Sequence, residues 1–166
     1  MRFEELKAGS KVFIDANIFI YHFSGISEES SFLLERCERE EILGFTTTTI
    51  LLEVMHRLMM LEAVTKGLVA PGNIAKNLKS KPEIVTELTI YAEQIQKIPE
   101  MNINIVPITQ DLCFQAVIWQ QKYGLMTNDS ILLAACQEHN CRHLASNDSA
   151  FARVEKLTLL QPMDVL

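Results

Sequence analysis

Hydrophobic and polar positions along this chain switch repeatedly between a strand-like and a helix-like rhythm. Lys11 to Asp15 is a short β-prone run, and Asn17 to Phe23 reads as a helical turn behind it. Glu28 to Glu41 carries Phe32, Leu33 and Cys37 at roughly helical spacing, with charge on the other face. Gly44 to Thr48 is a second β-prone run, and the long apolar stretch Thr49 to Val64 predicts a helix. Gly67 and Pro71-Gly72 break the pattern. A short helix over Asn73 to Lys79 ends at Lys81-Pro82, the next runs from Glu83 to Ile98, and Pro99 stops it. Asn102 to Ile108 is β-branched and alternating, a third strand. Gln110 to Tyr123 is helical with Gly124 as its C-terminal cap, and Asn128 to Glu138 is the second helix of that hairpin. Arg142 to Ser146 is a fourth strand and Lys156 to Leu160 a weak fifth.

Strands that alternate with helices imply a parallel sheet covered on both faces. Ligand sites in such sheets form beyond the carboxyl ends of the strands. Four acids sit where that rule becomes informative. Asp15 ends the run Val12-Phe13-Ile14, and Glu53 interrupts Ile50-Leu51-Leu52 and Val54-Met55. Asp129 opens the apolar helix pattern Ile131-Leu132-Leu133-Ala134-Ala135, and Asp148 follows Leu144-Ala145-Ser146. Carboxylates are rarely buried unless they are paired or bind metal.

Each acid also has an ordinary explanation. Asp15 fits an N-cap, Glu53 could face solvent from its helix, Asp129 favours a helix N-terminus through the dipole, and Asp148 suits a turn. None of these explanations predicts that all four meet at one sheet edge. Carboxylate oxygens are the donors that hard cations such as Mg²⁺ or Mn²⁺ prefer. A cation held this way activates water and stabilises phosphate charge, which suits phosphodiester hydrolysis without a covalent enzyme intermediate.

Bulk composition narrows the field. A length of 166 residues fits one domain, and 48% hydrophobic residues suffice for a substantial core. A net charge of -6 argues against a protein that coats DNA or a membrane surface, yet leaves room for a nuclease whose acidic site is screened by metal. No apolar run reaches the ~18 residues of a membrane span, and Glu4-Glu5 stand where a signal peptide carries basic residues. Cys37, Cys113, Cys136 and Cys141 form no disulfide pattern, so reduced thiols and a cytoplasmic location are expected.

Four segments in order resemble the motifs of PIN-domain ribonucleases. They are Phe13-Ile14-Asp15-Ala16-Asn17-Ile18-Phe19-Ile20, Thr46 to Val54 around Glu53, Thr127 to Ala135 around Asp129, and Leu144 to Phe151 around Asp148. The resemblance implies a three-layer α/β/α sandwich with a parallel sheet of about five strands, as one domain over 1-166. It implies an Mg²⁺- or Mn²⁺-dependent endoribonuclease in which Asp15, Glu53, Asp129 and Asp148 form the metal site and Asn17 and Ser146 support it. Many small members are VapC-type toxins, inhibited by a cognate antitoxin. The segment at about 63-99 is longer than those compact toxins need.

That segment holds Lys66, Lys76, Lys79 and Lys81 with no acid between Glu62 and Glu83, a candidate grip on RNA phosphates. Its bland reading is a solvated face or a surface for an antitoxin. Cys136, His139, Cys141 and His143 are zinc-competent residue types, but they straddle a helix end and a buried strand, which disfavours a tetrahedral site. His22 and His56 neighbour Asp15 and Glu53 in sequence, with packing or surface roles as the simpler expectation. Met55, Met59 and Met60 suggest a homodimer unless the long helix buries them. A non-catalytic PIN-like module for protein interaction or RNA binding is the rival reading. A phospho-acceptor domain fits less well, because Asp15 lacks an acidic neighbour.

Overall fold

A computed structural model of the chain describes residues 2-165. Among these, five strands form one sheet: β1 (Lys11–Ile14), β2 (Leu43–Thr47), β3 (Asn104–Val106), β4 (His143–Ala145) and β5 (Thr158–Leu160). All neighbours are parallel, in the order β3-β2-β1-β4-β5. The helices are α1 (Ala16–Ser24), α2 (Glu28–Glu38), α3 (Thr48–Thr65), α4 (Ile74–Ser80), α5 (Pro82–Glu87), α6 (Ile90–Glu100), α7 (Gln110–Tyr123) and α8 (Thr127–Glu138). Contacts run from α1 to α2 and α3 and from α3 to α6, while α7 pairs with α8. Right-handed crossovers put these two groups on opposite faces of the sheet, giving three layers.

The sheet explains the unbroken apolar run in β1. Val12, Phe13 and Ile14 are all fully buried, because a central parallel strand is covered on both faces. Gly44 in β2 leaves space that α2 needs: a Cβ there would stand 2.8 Å from Cys37 Sγ and 2.6 Å from Ile103 Cδ1. The polar run Thr46 to Thr49 is used residue by residue at the β2–α3 junction. Thr46 Oγ1 donates to the Ile14 carbonyl, Thr47 accepts the Ile50 N–H as N-cap of α3, and Thr48 Oγ1 accepts the Ile108 N–H. Among the described residues, no helix is long and apolar enough to cross a membrane.

Several element ends differ from the sequence reading, mostly by one or two residues. Glu40, Asn102 and Lys156 adopt left-handed backbone, which stops α2 and shortens β3 and β5 relative to the pattern. Pro99 lies inside the last turn of α6, which continues to Glu100. The larger difference is that Glu83 to Ile98 is two helices, broken at Leu88 and Thr89.

The break has an electrostatic cause. Glu62 on α3 is buried and points its carboxylate at the start of α6. It accepts the Thr89 N–H at 3.1 Å, the Tyr91 N–H at 2.9 Å and the Lys66 ammonium at 2.6 Å. Burial alone would raise its pKa, but the lysine and the amides overcome that and hold it at about 2. Leu88 meanwhile joins Ala63, Val69 and Leu78 in a small second core that also takes Met59 and Met60. Those two methionines are therefore used inside the chain, which removes them as an argument for a dimer.

Replacing Glu62 with Ala leaves an ammonium and two amides without their acceptor. We expect a loss of about 3 kcal/mol in urea unfolding. A loss below about 0.5 kcal/mol would show that α6 does not depend on this carboxylate.

Candidate active site

The strand order reverses direction at β1: β2 and β3 lie on one side, β4 and β5 on the other. A crevice opens at the carboxyl ends of the strands at such a reversal. Asp15 follows β1 directly, and Ser146 to Asp148 follow β4, so both arrive at that crevice.

Asp15 is only 8% exposed and its oxygens are well used. One accepts the Ala16 N–H at 2.7 Å, capping α1. The other accepts Ser146 Oγ at 2.6 Å and Asn17 Nδ2 at 2.9 Å. Ser146 Oγ in turn accepts the Asp148 N–H at 3.0 Å. Asn17 Oδ1 accepts the Asn147 N–H at 3.0 Å, and Asn147 Nδ2 donates to Tyr21 Oη at 3.1 Å. The turn after β4 is thus sewn to the start of α1. Asp148 caps a 3₁₀ turn over Ser149–Arg153 by accepting the Ala150 N–H at 2.7 Å.

Glu53 enters from the second turn of α3 and Asp129 from the first turn of α8. Glu53 faces Arg57 at 3.7 Å and Asn128 Nδ2 at 3.5 Å, so Asn128 links it to the helix that carries Asp129. Sequence reasoning missed Arg57, Asn128, Asn147 and Tyr21. An i,i+4 acid–base pair such as Glu53–Arg57 was readable in principle; the other contacts join distant segments.

The carboxylates act on one another. Burial, followed by the charges of Asp148, Asp15 and Glu53, pushes Asp129 up to about 6. Asp15 is also raised, by burial first and then by Glu53 and Asp148, against the lowering effect of Ser146 and the Ala16 amide. As placed, no three Asp, Glu, His or Cys side chains among the described residues close to metal-ligating distance. The donors are nonetheless all carboxylates whose charges disfavour one another, and Arg57 beside Glu53 is a solvent-screened pair. An oxygen-only, over-negative set of this kind fits a hard divalent cation.

Other sequence candidates lie elsewhere. Lys66 is paired with Glu62, and Lys79 and Lys81 sit at the end of α4, which packs on α3. Lys66 is thirteen residues beyond Glu53, about 20 Å along the helix at 1.5 Å per residue. His22 Nδ1 is 2.9 Å from Ser31 Oγ and packs on Phe23, while His56 is exposed on α3. Cys136 and Cys141 are buried free thiols, and His139 packs edge-on against Phe13.

The sequence matches the PIN domain family over residues 12–157. The chain belongs to that family. Ribonuclease VapC2 of Methanocaldococcus jannaschii is 30% identical over 156 residues, which span 92% of this chain and 94% of the relative. Ribonuclease VapC6 of the same organism is 26% identical, over 92% of this chain and 97% of its own. Similar folds occur in a toxin–antitoxin complex from Klebsiella pneumoniae (TM-score 0.57, 23% identity, 89% of this chain and 95% of that one). They occur also in VapBC2 of Rickettsia felis bound to a promoter DNA fragment (TM-score 0.55, 16% identity, 92% and 98%).

The raised pKa of Asp129 has a measurable consequence for the metal-free fold. Its ionised form is disfavoured by folding, so the cost is absent below the ordinary value of 3.8, grows with pH, and is complete above about 6. Asp129→Asn, studied in chelator, should raise the melting temperature at pH 7.5 by about 2–4 °C and leave it unchanged near pH 4. Equal shifts at both pH values would trace the effect to packing rather than charge.

Proposed function

We propose that this chain is a divalent-metal-dependent endoribonuclease of toxin type, acting in the cytoplasm. The observation that carries the reading is the arrival of four carboxylates from four separate elements at the topological reversal of the sheet. The names of the relatives, ribonucleases across nearly their full lengths, agree with it.

In this reading Asp15, Glu53, Asp129 and Asp148 would hold Mg²⁺ or Mn²⁺, which when bound supplies activation of water and charge stabilisation at the scissile phosphate. Ser146 and Asn17 fix the Asp15 carboxylate, so that its direction is set before any ligand arrives. Glu53 is steered by Arg57 and Asn128. Asp129 is half-buried and held at about 6 by burial and by the other carboxylates, so a bound cation would favour its ionised, ligating form. The lysines of the 63-99 segment, apart from Lys66, remain available to a long RNA that reaches past the crevice.

We also propose an inhibitory partner protein, because solved relatives include toxin–antitoxin complexes. Exposed apolar side chains such as Ile26, Leu61, Phe114 and Ile118 supply surface for that partner or for a second copy of the chain.

Purified protein should cut structured RNA in Mn²⁺ or Mg²⁺ and stop in EDTA. Asp15→Asn should lower cleavage by at least about 100-fold, the scale of losing several kcal/mol of charge stabilisation, with circular dichroism unchanged. Undiminished cleavage by the folded variant would defeat the mechanism, and RNA binding without cleavage by the parent protein would favour the non-catalytic module.

A further inference from the structure

The C-terminal turn of α7 carries a compact aromatic and cationic cluster that the acidic crevice does not use. Trp119 and Tyr123 are one helical turn apart, with ring centroids 5.9 Å apart and planes inclined by 11°. Their inner sides pack on the main core. The Lys122 ammonium stands 4.8 Å from the Tyr123 ring centre and 5.8 Å from that of Trp119. Arg153 Nη1 reaches the Tyr123 carbonyl at 3.4 Å, and both cations are exposed. Glu155 is 3.8 Å from Lys122, a solvent-screened pair that a stronger anion can displace.

The cluster is tied to the crevice by both of its flanks. Gln120 Nε2 donates to Thr127 Oγ1 at 3.2 Å, joining the end of α7 to the first residue of α8, two positions before Asp129. Arg153 closes the 3₁₀ turn that Asp148 caps, roughly 10 Å further on at about 2 Å per residue. The lysines of the 63-99 segment, in contrast, follow the far end of α3.

A chain of net charge -6 that presents four carboxylates to a polyanion needs cations beside them. Aromatic faces with adjacent Lys and Arg are the chemistry that holds single-stranded nucleic acid, bases stacked and phosphates paired. We infer that Trp119, Tyr123, Lys122 and Arg153 form a docking shelf for a single-stranded segment of the RNA, which it leads into the crevice between Asp129 and Asp148. A base stacks on the Tyr123–Trp119 pair, Lys122 leaves Glu155 for a phosphate, and Arg153 takes another. The inference rests on the ribonuclease reading and adds to it where the strand lies.

Trp119 is the chain's single tryptophan, so its fluorescence reports on the shelf directly. Titrating a short single-stranded oligouridylate into Asp15→Asn protein should quench that fluorescence saturably. Tyr123→Leu should weaken binding about tenfold, the scale of one lost stacking contact. The paired exposed changes Lys122→Ala and Arg153→Ala should flatten the log–log salt dependence by roughly 1.4, about 0.7 for each phosphate contact on a single strand. In otherwise unaltered enzyme the same pair should raise KM while kcat is retained. The shelf is overturned, with the nuclease reading intact, if RNA is cut and bound while Trp119 fluorescence does not move and the paired variant keeps its affinity and salt slope. It is overturned also if Lys76→Ala with Lys79→Ala and Lys81→Ala removes the affinity instead. Neither cleavage nor binding by the parent protein would defeat the nuclease reading and the shelf together.

Discussion

Asp15 has to be accommodated as a nearly buried carboxylate at the end of the central strand, beside two other acids whose charges oppose its ionisation. The surrounding architecture follows from that requirement. Ser146 and Asn17 approach from different elements to hydrogen-bond one oxygen, and the first amide of α1 takes the other. Asn147 and Tyr21 then lock the β4 turn against α1. The bonds from Ser146 and the Ala16 amide lower the pKa of this group, while burial and like charge raise it and prevail. The remaining tension is spread over Asp129 as well, where it appears as a pKa near 6. A divalent cation would relieve both groups at once.

The same physics, with the opposite outcome, organises the 63-99 segment. Glu62 is also buried, but its neighbours are an ammonium and helix-start amides rather than other carboxylates. It is therefore strongly acidic, and it serves as the fastening point for α6 and the small second core. One buried acid is left with its ionisation opposed by neighbouring carboxylates; the other is already satisfied by the protein itself. Burial alone does not distinguish the two, and the identity of the hydrogen-bond donors does.

The reading of the sequence located Asp15, Glu53, Asp129 and Asp148 because an acid inside an apolar run is conspicuous in one dimension. It placed them at one edge because alternating strands and helices leave little choice of topology. It passed over Glu62, since a Glu at the end of an amphipathic helix looks like solvent-facing charge. It ran Glu83 to Ile98 together for a related reason: helical periodicity continues across Leu88 and Thr89. The break is held by distant contacts, the Glu62 carboxylate on the Thr89 and Tyr91 amides and Leu88 in the second core. Pro99 fits a stop by local rules, yet a proline in the final turn removes a single hydrogen bond and α6 tolerates it.

Local signals thus determined the strands, most helices and the four acids of this PIN-domain chain, because side-chain period and misplaced charge are properties of neighbouring residues. The tertiary structure alone decided which lysine is occupied, which methionines are internal, and that the end of α7 meets the turn after β4. Those outcomes depend on contacts such as Lys66 to Glu62, Met59 to the second core and Arg153 to Tyr123. The last of these joins residues thirty positions apart, a separation over which periodicity carries no information about proximity.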